Sequence, residues 1–299
     1  MSAVANPVAE PAARPSFWQR LPVVVRAVIT GLAIALPAAN VIPVLAGLVG
    51  LSSAACGAIA GGVGAIFLMA YLWWTRGGGP PRSTKSSRRL ASRAGRFSRA
   101  QWRAALPAAL AFAIAMHAAM VILFRLVPFP VELFRRGYDF SAIHGLPLKW
   151  LAIVLAAASA AITEETGFRG YMQQPIESRH GVVPAIFVST AFFWLAHLNQ
   201  SWAIPAMMPI GILAGLFLAL LAWSAGSLIP GMIAHTLMDI GLFAYWWTGT
   251  AGTFHARTIA ETGIDAPFEA ACLIFIAAIT GLLFAMRRLW KLRDTGEAV

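Results

Sequence analysis

The chain reads as an all-α protein, a polytopic bundle of about eight membrane-spanning helices. Three observations predict this. Hydrophobic residues make up 59% of its 299 residues and charged ones 12%, against roughly 45–50% and about 25% in ordinary soluble domains. The mean hydropathy is +0.71. The apolar residues gather in runs of about 20, the length needed to cross a bilayer. This composition excludes a water-soluble enzyme and a disordered chain. Cys56 and Cys272 both lie in apolar runs, which excludes a disulfide framework and a cysteine-clustered metal site.

Residues 1–20 hold prolines and alanines but no charged region beside an apolar core. They predict a flexible cytosolic tail ahead of a single transmembrane domain over 21–293, not a cleaved leader. The spans are expected at Val23–Val49, Ala54–Trp74, Ala104–Val127, Leu148–Phe168, Val182–Leu198, Ala203–Trp223, Leu228–Trp247 and Ala270–Met286. The fifth and eighth are short.

The net charge of +11 is concentrated. Nine basic residues and no acidic one lie between Arg76 and Arg103, and Arg287, Arg288, Lys291 and Arg293 follow the last span. Both clusters abut apolar runs, which marks a membrane partner with anionic headgroups and not nucleic acid. With the 76–103 loop cytosolic, eight spans put both termini, an Arg169–His180 loop, the Ala225–Ser227 turn and the basic tail on that same side. The Thr248–Glu269 loop, with Glu261, Asp265 and Glu269 against Arg257, then faces outward. Gly57/Gly61 and Gly211/Gly215 have the GxxxG spacing that permits close helix contact. The alanine- and arginine-rich composition points to a bacterial inner membrane.

Ionisable groups inside a bilayer need a partner, a wet cavity or a function. Arg26 and Arg125 lie near span ends, from which they can snorkel. His117 stands alone, which suits a neutral histidine bonded to a helix carbonyl. The others form three groups. Glu165 and Arg169 share a helix face at i, i+4, leaving Glu164 about 100° around the helix without a local partner. It is either a general base or a carboxylate facing the headgroups. Phe193 and His197 stand one turn apart in the fifth span. His235 and Asp239 share a face in the seventh, as a metal-ligand pair, an acid–base couple or a structural hydrogen bond. One common site satisfies all three groups, and its inventory is that of a hydrolase or a metal centre.

Three strings stand in order: Glu164-Glu165-x-x-x-Arg169, Phe193-x-x-x-His197 and His235-x-x-x-Asp239. They resemble the EExxxR, FxxxH and HxxxN/D motifs of the CPBP intramembrane proteases. That group includes the CAAX prenyl proteases of the Rce type and bacterial relatives tied to bacteriocins. Phe168 and Gly170 add to the likeness, which covers roughly 148–247.

The resemblance implies an intramembrane endopeptidase acting on a membrane-associated peptide or protein, with or without a lipid. Glu164 and His197 would activate water. His235 and Asp239 would stabilise the oxyanion, although an ionised Asp239 cannot itself donate to one. Glu165, Arg169 and Phe193 would be structural or bind substrate. A metal-free reaction is expected. Zinc is left open, with Glu164, His197 and His235 as its ligands; HExxH is absent. Two other readings use the same residues, a catalytically silent scaffold and a proton-coupled transporter. The absence of repeats and of centrally broken helices argues against the transporter.

The depths of the motif residues conflict. By helical rise, Glu164 and His235 lie roughly 10 Å from the cytosolic ends of their spans, while His197 lies about 20 Å from Val182. They agree if the fifth helix starts above the membrane, tilts or runs on, and the polar string Asn199-Gln200-Ser201 suggests an interruption there.

Overall fold

A computed structural model describes residues 16–49, 54–93, 95, 97–129, 143, 145–198, 200, 205–247 and 257–294. The expected loop segments 130–142, 201–204 and 248–256, and the tail before residue 16, lie outside these.

The described residues form helices joined by short turns. In hydrocarbon this is required, because a helix satisfies its own backbone polar groups. α1 (Phe17–Arg20) is a single turn closed by a Ser16/Gln19 capping box, so the end of the expected flexible tail is ordered. The apolar helices follow as α2 (Val23–Val49) and α3 (Ala54–Thr75), then, after α4 (Lys85–Ala91), α5 (Arg99–Leu126) and α6 (Leu146–Glu164). α6 continues without a break through a π-helical stretch, Glu165–Met172, into α7 (Gln173–His180). Beyond it lie α8 (Val182–Leu195), α9 (Met208–Ala225), α10 (Ile229–Trp247), α11 (Ile259–Thr262) and α12 (Ala266–Asp294).

All eight expected spans are helices. Six are long and apolar enough to cross a membrane, while Val182–Leu195 and Ile229–Ala244 are shorter apolar stretches. Several expectations are corrected. Arg169–His180 is not a loop but the continuation of α6, making an unbroken run of 35 residues, Leu146–His180. The cause is visible at Arg169, which is fully buried and paired with Glu165. The fifth span ends at Leu195 instead of Leu198, in a turn through His197, so the interruption expected near Asn199 comes slightly earlier. The last helix extends four residues upstream and eight downstream of its expected bounds. Its first turn carries Glu269 and its last carries Lys291 and Arg293, signs that favour the helix dipole. The helices are also not all regular, because the π-helical stretch widens the fourth in mid-course.

Of the apolar clusters among the described residues, the two largest hold the bundle together. One joins α5, α9, α10 and α12 around Phe112, Met116, Leu218, Leu221 and Leu282. The other joins α2, the π-helical stretch and α8 around Ala35, Phe168, Met172 and Phe193. Small residues permit the closest approaches, as expected where lipid removes any hydrophobic drive for helix association. Gly57 and Gly61 face Leu148 and Leu155, while Gly211 and Gly215 face Trp194, Thr190 and Phe193. Leu273, Ile276 and Phe284 of α12 and Ile66 of α3 are more than 60% exposed, as lipid-facing side chains are.

The basic segments share one end of the bundle. There Arg93 Nη2 pairs with Glu177 at 2.6 Å, the Ala91 carbonyl abuts Gly170, and Gly226 abuts Arg293. At the opposite end Arg125, expected to snorkel, is buried and pairs with Asp265 at 2.7 Å. His117 donates from Nδ1 to the Ala113 carbonyl at 2.7 Å, as expected.

Candidate active site

Gly181, at φ +87°, folds α7 back onto α8 as a helical hairpin. Glu164 lies about as far before this turn as His197 lies after it, and each stands roughly 22–26 Å from it by helical rise. The two residues therefore arrive at one level, and the conflict in depth disappears. The tip of the hairpin extends beyond its neighbours. Tyr171 donates to the carbonyl of Thr75, the last residue of α3, at 2.7 Å, and Gly170 lies against Leu228, just before α10. The part of the hairpin past Tyr171 thus projects above both helix ends. Measured from that level, Glu164 and His235 lie about 10 Å deep.

Glu164 Oε2 stands 3.7 Å from His197 Nε2. The pair is not hydrogen-bonded directly, since such bonds close at 2.7–3.2 Å. The His197 ring is oriented from behind, where its Nδ1–H donates to the Phe193 carbonyl at 2.7 Å. A carbonyl can only accept, so Nδ1 carries a proton and Nε2 is the ring nitrogen turned toward Glu164. The two side chains are 14% and 18% exposed, enough to be reached.

Behind them lies a closed ionic layer. Glu165 Oε1 accepts from His235 Nδ1 at 3.0 Å and is 3.1 Å from Arg169 Nη1. Neither Glu165 nor Arg169 has any exposed side-chain surface. Buried charges need such pairing. Arg169 also donates to the Gly215 carbonyl at 3.3 Å. His235 Nε2 faces Asp239 Oδ2 at 3.6 Å, so the histidine stands between two carboxylates. Gly231 leaves room for this layer: a Cβ there would lie 3.0 Å from Glu165 Oε2.

Phe193 organises the whole. Its ring centroid lies 4.7 Å from that of His197, 5.9 Å from His235 and 5.5 Å from Phe168, and the Arg169 guanidinium sits 4.1 Å over its face. The last contact is a desolvated cation–π interaction. All seven residues expected at the site therefore fall together.

Sequence reasoning missed the supports. Ser189 donates to the Phe168 carbonyl at 3.0 Å, Arg93 to the Arg169 carbonyl at 3.4 Å, and Tyr71 to the Thr163 carbonyl at 3.3 Å. A π-helix spoils the regular i−4 ladder, and these side chains reach carbonyls in and just ahead of the irregular stretch. Nothing in the linear pattern pairs residue 93 with 169.

No three His, Cys, Asp or Glu side chains among the described residues converge as ligands. His197 and His235 each commit Nδ1 to a protein acceptor, which leaves Nε2 as the remaining ring nitrogen of each.

Residues 145–241 match the family described as type II CAAX prenyl endopeptidase, Rce1-like. No curated protein and no solved structure matches the chain. The match spans all three motifs and the helices that carry them, and it accords with the resemblance they show. With six helices among the described residues long and apolar enough to cross a membrane, the molecule is an integral, multi-pass membrane protein, and its residues 145–241 are similar to the CAAX-protease family.

Proposed function

We propose that the chain is an endopeptidase that hydrolyses a peptide bond within the membrane, with Glu164 as general base and His197 as its partner. The observation that carries this reading is the pair itself. A carboxylate at the end of α6 and an imidazole in the turn after α8 face each other at 3.7 Å, while the neighbouring carboxylate, Glu165, is consumed by Arg169 and His235. One water within hydrogen-bond reach of both donates a proton to each.

The reaction follows from these positions. Glu164 takes a proton as the water oxygen attacks the scissile carbonyl carbon. The carbonyl oxygen becomes an oxyanion. His235, protonated on both nitrogens, keeps its Nδ1–H on Glu165 and donates Nε2–H to that oxyanion. Asp239 acts through His235, as a counter-charge 3.6 Å from Nε2. The C–N bond then breaks as the proton passes to the departing nitrogen. Products are a carboxylate and an amine. Glu165, Arg169 and Phe193 position the histidines, since full burial of Glu165 and Arg169 keeps them from substrate.

The substrate class is a membrane-associated peptide or protein. The matched family's name makes a peptide with a lipidated cysteine the first to try. The basic end, which holds both arginine-rich segments, faces the cytosol by the positive-inside rule; the membrane is the bacterial plasma membrane and both termini are cytosolic.

The test compares purified wild type with Glu164→Ala in detergent. Fluorogenic peptides with and without a lipidated cysteine are supplied, with chelator present and absent. Cleavage lost in the variant and indifferent to chelator supports the proposal. Cleavage abolished by chelator, or retained by Glu164→Ala, overturns it.

A further inference from the structure

We infer that the groove between α9 and α12 at the basic end is a binding site for one anionic phospholipid, with Arg287 as its headgroup ligand. The groove has a volume of about 250 Å³ and is lined by Leu220, Trp223, Ser224, Leu283, Met286, Arg287 and Trp290. None of the residues that line it belongs to the candidate active site.

Its chemistry is graded along its length. Leu220 and Leu283 line one end, three residues before Trp223 and four before Arg287 respectively, and Leu283 is 49% exposed. An acyl chain matches that surface. The hydroxyl among them, that of Ser224, is satisfied within its own helix, donating to the Leu221 carbonyl at 3.1 Å. Toward the basic end the Trp223 and Trp290 rings stack at 6.3 Å and 21°. Tryptophans take this position at the membrane–water boundary.

The cations at this rim divide into two kinds. Arg293 is engaged by the protein: it donates to the Trp223 carbonyl and covers the Trp223 ring at 5.4 Å. Arg287 lines the groove and is exposed, and no ion pair among the described residues includes it. The exposed Arg288 and Lys291 lie on the same two turns but do not line the groove. From Ala270 to Arg293 the helix carries no carboxylate. A basic pocket between transmembrane helices, apolar below and cationic at the headgroup level, selects an anionic lipid. A guanidinium binds a phosphate by paired hydrogen bonds.

The experiment uses the full chain reconstituted in phosphatidylcholine bilayers, into which dibrominated phosphatidylglycerol or dibrominated phosphatidylcholine is titrated. Bromine quenches tryptophan on contact, and the signal of this site is the difference between wild type and Trp290→Phe. Half-maximal quenching is expected at a roughly five-fold lower mole fraction of the anionic lipid, the effect of about one lysine or arginine near the surface. Arg287→Gln should abolish the preference, and Arg288→Gln should leave it. Equal quenching by the two lipids overturns the inference. So does a preference that survives Arg287→Gln, or one lost equally in Arg288→Gln, which reports a diffuse field instead of a site. None of these readouts depends on peptidase activity.

Discussion

Glu165 and His235, 70 residues apart in the chain, meet at 3.0 Å with neither exposed to solvent. The contact joins the π-helical stretch to α10. It makes one carboxylate oxygen serve two partners, because Arg169 sits on the same oxygen. Adjacent glutamates thereby take opposite fates: Glu165 is locked into the interior and Glu164 faces His197 at 3.7 Å.

Glu165→Gln should be strongly destabilising. It leaves the Arg169 charge buried without its counter-ion, and breaking such a pair costs about 3–5 kcal/mol. Thermal unfolding in detergent measures this. Combining it with Arg169→Met, which removes the stranded charge, should recover part of the loss. A double variant as unstable as the sum of the two singles contradicts the pairing.

Glu164→Gln should behave in the reverse way. The carboxylate makes no direct hydrogen bond to His197 at 3.7 Å, so the melting temperature should change little. Activity should fall by roughly 10²–10⁴-fold, the range for loss of a general base. The comparison is kcat against Tm in one preparation, and parallel losses in both count against a role in catalysis.

Phe193→Ala should cost about 3–5 kcal/mol, as large-to-small changes at buried aromatics do, and should reduce kcat beyond that. The ring touches both histidines and Arg169. Phe193→Tyr retains the aromatic face and should keep the fold more nearly intact. Unfolding curves and turnover separate the two contributions.

Gly167→Ala should destabilise by about 1–3 kcal/mol or more through overpacking. Its Cβ would lie 2.7 Å from the Gly31 carbonyl oxygen and 2.5 Å from Ala35 Cβ, and backbone cannot move aside as a flexible side chain can. Gly62→Ala is the contrast. It lies within α3 with nothing within 4 Å and should stabilise by up to about 1 kcal/mol. Equal effects at the two positions would refute the close approach of α2 to the π-helical stretch.

The Arg125–Asp265 clasp should show in the pH dependence of stability. Partial burial pushes the Asp265 carboxyl up, but the Phe268 N–H and the Arg125 guanidinium outweigh it and hold the group below its ordinary range. A depressed carboxyl stabilises the fold above its unfolded pKa of about 3.9, and that contribution is lost as pH falls through the lower folded value. Wild type should therefore melt above Asp265→Asn between pH 7 and 5, and the gap should close on further acidification. A gap undiminished at pH 3 contradicts the assignment. The effect is modest, since the aspartate is partly in water.

Much of this architecture was legible from side chains alone. Apolar run length located eight helices, because the bilayer imposes one thickness and one solution to backbone hydrogen bonding. The motif residues were found because ionisable groups are rare in such runs and therefore conspicuous. The i, i+4 pairing of Glu165 with Arg169 was readable too, as a local property of one helix.

Relationships between helices could not be read in this way. The stretch 169–180 is polar enough to pass for a loop. It is helical because Arg169 finds Glu165, the Phe193 face and the Gly215 carbonyl, and these become neighbours only after folding. Which glutamate of the pair would face His197 also depended on where the packed helices bring His197 and His235. A chain's own spacing specifies which side chains share a face. What that face meets depends on the other helices, and here their packing assigned one carboxylate to a buried charge cluster and the other to an accessible histidine.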